Sequence, residues 1–398
     1  MMVLKLINQV QNYSWGSTDY IPTLLGKDFN GAHCAELWMG DHPRGTSSAI
    51  VDNRKISLDQ LILKDPKLIL GNDVSRFGSH LPFLFKVLSA ASPLSIQAHP
   101  NKIQAETGFL DENTRNIPLD AFNRNYKDNN HKPEIICALT NFTAMCGFRK
   151  SNIIETNFTK LNSSVFKNQL KNCFDTGVEN NTEAFFSALM RLDKKNLRNL
   201  IESALVWAGT NISLEAKLVK KFAALYKNDP GILSPLFLNV FRLKPGEALY
   251  QGAGELHAYV EGTGIELMAN SDNVLRGGLT PKYIDVPELL KVLNFKYTEK
   301  SILNPKEIKS GIFEYETISR EFVLKTYSVG KNNILEVENN GSVEIILCIK
   351  GNAVIHTKDG DFPIAKGESF IIPASSGSYA LSGVAEIYSA GIPGMKEV

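Results

Sequence analysis

The spacing of apolar residues changes twice along this 398-residue chain, and that change restricts its fold more than any single motif does. Up to about residue 150, short apolar runs such as Leu81-Pro82-Phe83-Leu84-Phe85-Lys86-Val87-Leu88 and Glu134-Ile135-Ile136-Cys137-Ala138-Leu139 are interrupted by Gly, Pro, Asn and Asp. That pattern belongs to strands joined by short connections. One helix is expected near 57–63, where Ser57 can cap the first turn and Asp65-Pro66 stops it. Between 151 and about 230 the interval becomes three and four residues. Phe185, Phe186, Leu189 and Met190 are followed by Leu197, Leu200, Ile201, Ala204 and Leu205, then by Leu214, Leu218, Phe222 and Leu225 behind Ser213. Two or three amphipathic helices are expected there. Asp229-Pro230-Gly231 ends the last one and 237–243 reads as a strand, so the helices form an insertion within a β domain or a lobe against it.

From about 300 onward the strand pattern returns, with tight-turn signals at Asn340-Gly341, Lys350-Gly351 and Asp359-Gly360. A second β-sandwich or barrel is expected. Lys244-Pro245-Gly246-Glu247-Ala248-Leu249-Tyr250 resembles Ala365-Lys366-Gly367-Glu368-Ser369-Phe370-Ile371, and the same register sets His257 against Ser378. An internal repeat of this kind keeps the architecture in the second copy and loses the imidazole, so chemistry belongs to the first.

With 43% hydrophobic and 21% charged residues the composition is that of a globular protein, long enough for two or three domains. A formal net charge of +1 removes the electrostatic case for nucleic acid or an anionic membrane surface, and leaves a small molecule as the expected partner. No stretch reaches membrane-spanning length and Met1–Asn8 lacks the features of a leader, so a cytoplasmic location is expected. The five cysteines are an odd number without C-x-x-C spacing, which argues for reduced, buried thiols.

Metal-capable side chains occur in Ser95-Ile96-Gln97-Ala98-His99-Pro100, in His131-Lys132-Pro133-Glu134 and in Gly254-Glu255-Leu256-His257. Gln97 and His99, at i and i+2 of a strand, point to one face. With Glu134 and His257 they would make a mixed N/O set that suits zinc and could also accept iron, manganese or cobalt. Spacing does not by itself bring Glu134 and His257 to that pair, and a lone histidine is more often structural. A second feature is Asn270-Ser271-Asp272-Asn273-Val274-Leu275-Arg276-Gly277-Gly278-Leu279-Thr280-Pro281-Lys282, whose glycines allow close backbone approach to a small anion. Lys86, Lys132, Arg276 and Lys282 could serve a phosphate or an oxyanion. No nucleotide-binding glycine fingerprint is present.

Those motifs, together with Gln11-Asn12-Tyr13-Ser14-Trp15-Gly16-Ser17 and Ala35-Glu36-Leu37-Trp38-Met39-Gly40-Asp41-His42-Pro43 near the start, make the chain similar to the type I mannose-6-phosphate isomerases of the cupin superfamily. The resemblance implies a mainly β protein with a helical lobe: two cupin-like β-barrel (jelly-roll) domains, the first interrupted by an all-α insertion. The expected divisions are 1–150 and 233–305 for the catalytic domain, 151–232 for the helices and 306–398 for a second cupin-like domain without a metal site. It implies one Zn2+ per chain on Gln97, His99, Glu134 and His257, with Arg276 in the active site. Trp15, Lys86, Ser95, Lys132, Glu266 and Lys282 carry over to the substrate pocket, with Ser95 and Lys86 expected at the phosphate. The implied reaction interconverts D-mannose 6-phosphate and D-fructose 6-phosphate through a cis-enediol, with Glu266, His131 or a neutral Lys132 as base. A monomer acting on a sugar phosphate is expected. A non-haem iron cupin dioxygenase and a non-catalytic sugar-phosphate-binding protein are the rival readings.

Overall fold

The computed structural model describes residues 3–175, 180–331, 333–339 and 341–394. The protein is mainly β with helices, and its described strands form a ten-stranded and an 11-stranded sheet. The strands Phe142–Phe148 and Leu238–Leu243 pair antiparallel from Leu238↔Phe148 to Leu243↔Phe142, so the chain leaves one position in the ten-stranded sheet and returns beside it. Everything described between them is helix, turn or loop.

The three longest helices of that stretch, Asn181–Met190, Lys194–Gly209 and Leu214–Leu225, each begin at a side-chain cap. Asn180, Asp193 and Ser213 accept from the backbone N–H of Glu183, Asn196 and Ala216, satisfying donors that the first turn leaves free. Their apolar stripes bury Phe185, Phe186, Leu200 and Phe222 in one core with Ile96, Met145, Phe148 and Leu256 of the sheet. A further helix, Ser151–Thr159, precedes them.

Three sequence expectations change. The helix near 57–63 is present as Leu58–Lys64, but the Ser57 side chain makes no capping bond. The 13-residue helix Lys102–Thr114 lies in a stretch that reads as strand-rich. It buries only Ala105 and Glu112 and leaves Ile103 and Leu110 exposed, so no apolar stripe announces it. Lys350-Gly351 is no hairpin turn: it lies inside the strand Glu344–Thr357, where the register shifts between Cys348 and Lys350. Asp359-Gly360 does turn the chain, into Gly360–Ala365. Asn340, the first half of the remaining turn signal, lies outside the described residues.

The sheets also cross the linear division of the sequence. Leu4–Ile7 pairs with Ser369–Ile372 through Leu4↔Ile371, and with Ser48–Val51 on its other side. Leu4 and Leu6 alternate inward and pack with Ile345 and Ile371, so the first strand belongs to the sheet of the last ones.

The internal repeat is visible in the backbone. Gly246 and Gly367 both turn at positive φ, +87° and +84°. Glu247 Oε2 accepts from Lys244 N at 2.8 Å and Glu368 Oε2 from Ala365 N at 2.9 Å, before the strands Ala248–Gln251 and Ser369–Ile372. The surroundings differ: a Cβ on Gly246 meets nothing within 4 Å, whereas one on Gly367 would lie 2.2 Å from the Leu24 carbonyl oxygen. Gly246→Ala should therefore cost about 1–2 kcal/mol of backbone strain, and Gly367→Ala about 1–3 kcal/mol more for the clash. Urea denaturation of the two variants checks this, with equal losses as the contrary result.

Candidate active site

Strand alternation builds the site in two tiers on the inner face of the ten-stranded sheet. Leu88, Ile136, Leu249 and Tyr259 belong to one buried apolar cluster. Two positions along the same strands, on the same face, stand Lys86, Glu134, Gln251 and His257, all buried. Register ties these polar residues together: Lys86 faces Trp38 on one side and Glu266 on the other, Glu134 faces Met268 and Gln251, and Gln97 faces His257 and Arg276. His99 follows directly on the strand Ile96–Ala98.

His99, Glu134 and His257 are the one group of metal-capable His, Cys, Asp or Glu side chains found among the described residues, with ligand atoms all within 4.8 Å of one another. Each imidazole is held from behind: Nδ1 of His99 lies 2.6 Å from the Asn273 carbonyl and Nδ1 of His257 lies 2.8 Å from the Glu255 carbonyl. Donation there leaves the Nε2 lone pairs aimed at Glu134, at 3.5 and 3.2 Å. Neither Nε2 has a hydrogen-bond partner among the described residues. Two buried, unpaired imidazole nitrogens around a buried carboxylate fit a zinc ion. Burial, with the Lys132 charge adding to it, pushes His99 down to about 4, so it stands neutral and ready to bind metal. Burial opposes ionisation of Glu134, but Lys132, whose Nζ is 2.7 Å away, outweighs it and holds the carboxyl well below its usual range.

Beside this centre, Lys86 Nζ contacts Glu266 Oε2 at 2.8 Å and Glu36 Oε1 at 3.7 Å, and lies 5.3 Å from the centre of the Trp38 ring. Glu36 in turn accepts from Trp38 Nε1 at 2.7 Å. Burial would lower the Lys86 ammonium, yet Glu266 and Glu36 together raise it. Burial raises the Glu266 carboxyl in spite of Lys86, helped by Glu134 and Glu36. Toward the mouth the cations crowd one another. Burial lowers Arg276, and burial with the charges of Arg276 and Arg44 lowers Lys282.

A cavity of about 590 Å³ opens over these groups, walled by Trp15, Lys86, Ser95, Gln97, Lys132, Glu134, Glu266, Arg276 and Lys282. An adjoining one of about 570 Å³ shares Arg44, Lys86, Lys132 and Arg276 with it. His131 lines neither: its Nε2 points away, 2.8 Å from Glu321 Oε1. Sequence reasoning passed over Glu36, Asp272 and Asn273. Asp272 meets His42 Nε2 at 3.4 Å and Arg44 at 3.1 Å, and these partners overcome burial to bring it to about 2. The wholly buried Asn273 side chain accepts from Lys127 N and Asp128 N and donates to the Asp128 and Asn130 carbonyls. One residue thus fixes both the His99 ring and the loop that leads to Lys132. Only their place inside the quoted motifs hinted at these roles.

Family models match at residues 3–151, as phosphomannose isomerase type I, catalytic domain, and at 313–390, as mannose-6-phosphate isomerase, cupin domain. Over 397 residues the chain is 38% identical to mannose-6-phosphate isomerase of Escherichia coli (strain K12), covering 97% of this chain and 99% of that protein. The chain belongs to the type I phosphomannose isomerase family. The Homo sapiens mannose-6-phosphate isomerase is 34% identical, with 91% of this chain and 90% of that protein covered. Among solved structures, a K86A mutant of phosphomannose isomerase from Salmonella typhimurium superimposes with a TM-score of 0.92 at 34% identity, covering 98% of this chain and 100% of that one. A zinc-bound holo mannose 6-phosphate isomerase gives 0.91 at 34% identity, with the same coverage.

The His131–Glu321 contact carries a pH-dependent share of stability. His131 overcomes the burial of Glu321 and brings its carboxyl from 4.5 to about 2. A depressed carboxyl stabilises the fold fully above its unfolded value and loses that contribution as pH falls toward the folded one. Glu321→Gln should therefore be less stable than the parent by about 1–3 kcal/mol near pH 6, with the gap closing between pH 4.5 and about 2. Urea titrations across that range measure it, and a gap independent of pH would contradict the assignment.

Proposed function

We propose that this protein is a zinc-dependent aldose–ketose isomerase that interconverts D-mannose 6-phosphate and D-fructose 6-phosphate through a cis-enediol. The observation that carries the reading is that Glu134 of the His99–Glu134–His257 centre lines one cavity with Glu266 and with Arg276 and Lys282, two cations that have no ion pair among the described residues. Gln97, on the same cavity wall, completes the proposed ligand set. Bound there, zinc would supply an electrophile for the sugar oxygens at C1 and C2.

The chain's own residues divide the remaining work. Glu266 is the base. It is buried, its proton affinity is raised, and Lys86 holds its carboxylate in one place, which suits a group that takes a proton from one carbon and returns it to the next. Lys132 and Arg276 face the same space and stabilise negative charge as it develops on the sugar oxygens. His131, turned to Glu321, acts as a strut between the two sheets rather than as a base. The phosphate belongs at the mouth, where Arg276 and Lys282 repel each other and have no ion pair among the described residues. A dianion relieves that repulsion. Ser95 and Trp15 line the same cavity and complete the pocket. Lys86 is reassigned on this geometry: enclosed by two carboxylates, it has no free charge for a phosphate and serves to orient Glu266.

The architecture we propose has two cupin-like jelly-roll barrels, the first interrupted by the helices, with catalysis confined to the first. We propose a cytoplasmic monomer whose partner is the sugar phosphate alone.

Zinc-loaded protein given mannose 6-phosphate under argon should release fructose 6-phosphate. Bound but unchanged sugar, or turnover that needs oxygen, would refute the isomerase reading. Glu266→Gln should lower kcat by about 10²–10⁴-fold with little change in KM, and a near-normal kcat would move the base to Lys132. Lys282→Ala should raise KM for the phosphorylated sugar. A variant that loses kcat with KM unchanged would place Lys282 at the reacting carbons instead.

A further inference from the structure

Gln251 ends the strand Ala248–Gln251, and its side chain has no solvent exposure. It stands directly opposite Glu134 in the antiparallel pair, with both residues on the inner face in the polar tier. Directly opposed side chains of such a pair lie close enough to interact. Tyr259 Oη donates weakly to Gln251 Oε1 at 3.5 Å, which gives the amide a direction. The other end of that amide, Nε2, has no hydrogen-bond partner among the described residues.

Half of the buried side-chain atoms in that condition among the described residues are scattered over the molecule. The other half converge here: beside Gln251 Nε2 they are His99 Nε2, His257 Nε2 and the two Glu134 oxygens, of which Oε1 has the Lys132 ammonium 2.7 Å away as an ion pair. For the imidazole nitrogens the unfilled state is explained by a cation. A primary amide explains itself differently, because Nε2 is a donor only and needs an acceptor. An ionised Glu134, directly opposite, can provide one, although the two groups are not hydrogen-bonded to each other in this structure. Its two oxygens offer about four lone-pair sites, and a cation held with His99 and His257 leaves the rest to be satisfied by donors. Lys132 Nζ is one such donor, at 2.7 Å from Oε1. Packing alone gives no reason for a glutamine at this position, since leucine or methionine fills similar space without burying an unpaired donor.

We infer that Gln251 is a positioning residue of the metal centre, its amide N–H₂ supporting the Glu134 carboxylate that stands opposite it in the strand pair. The inference rests on His99, Glu134 and His257 as metal ligands. Carboxylate ligands supported in this way bind metal more tightly, and loss of the support costs about 10- to 100-fold in affinity.

The test is a chelator competition that gives the zinc dissociation constant of the full-length protein, its Gln251→Met variant and its Tyr259→Phe variant, beside thermal unfolding of the metal-free forms. Gln251→Met should bind zinc about tenfold more weakly, while its metal-free form melts no lower than the parent because a buried unpaired donor has been removed. Tyr259→Phe, which frees the amide to rotate, should weaken zinc by a smaller factor. Parental zinc affinity in a folded Gln251→Met protein would overturn the inference, as would a lower melting point with unchanged affinity, which is the mark of a packing role. Were the methionine variant unable to fold, unchanged zinc affinity in Tyr259→Phe would overturn it instead. Failure of the parent protein itself to bind zinc would remove the metal centre, a result distinct from any difference among the variants.

Discussion

Charge balance inside a β sheet is the constraint on which the rest of this structure depends. Glu36, Glu134 and Glu266 are buried on the inner face with Lys86 and Lys132, and none of these side chains could be placed there alone without a cost of several kcal/mol. Lys86 lies between Glu36 and Glu266 and balances one of the two charges, and Lys132 sits on Glu134. Three carboxylates against two ammonium groups leave one negative charge, and the two imidazoles, held through Nδ1 by backbone carbonyls, turn Nε2 toward it. A divalent cation turns that deficit into one positive charge, placed where an isomerase must stabilise an enediolate. The demand for metal and the capacity for catalysis are thus the same imbalance.

The second sheet shows what the repeat looks like when the imbalance is absent. Glu344 is also buried, but three hydroxyls satisfy it: Tyr379 donates at 2.8 Å, and Tyr327 and Ser389 donate to its other oxygen. No unpaired imidazole faces it, and no metal-capable group is found there among the described residues. Ser378 precedes the strand Tyr379–Gly391 as His257 opens the strand His257–Ala269, so the exchange of one imidazole for a hydroxyl accompanies the loss of the site. The strand Leu4–Ile7 brings the start of the chain into the sheet of the C-terminal strands, and the His131–Glu321 contact links the segment before Glu134 to the segment before the strand Val323–Val329.

Much of this was legible before any coordinates. Apolar spacing located the helices from 181 to 225 because each presents one stripe to one core, and caps at Asp193 and Ser213 stand where the spacing begins. The motif around Gln97 and His99 reads as a strand, and the strand Ile96–Ala98 is present with His99 directly after it. The helix Lys102–Thr114 was not, since only its capping box, Asn101 with Gln104, distinguishes it from loop. The roles proposed here for His131 and Lys86 differ from those the resemblance implies for a common reason: a motif gives residue types in order, whereas a side chain's role depends on neighbours far along the chain, Glu321 for one and Glu36 with Glu266 for the other. Asn273 could not be found because its work is done by a backbone carbonyl as well as an amide, and carbonyls leave no trace in a sequence.

The most direct test of this account is proton NMR of fructose 6-phosphate incubated with folded, metal-stripped protein, before and after one equivalent of zinc. Mannose 6-phosphate should be absent before the addition, appear after it, and stop accumulating when excess chelator is added. Equal conversion with and without zinc would contradict the claim that the buried charge imbalance is completed by a metal, and no conversion in either state would contradict the isomerase itself.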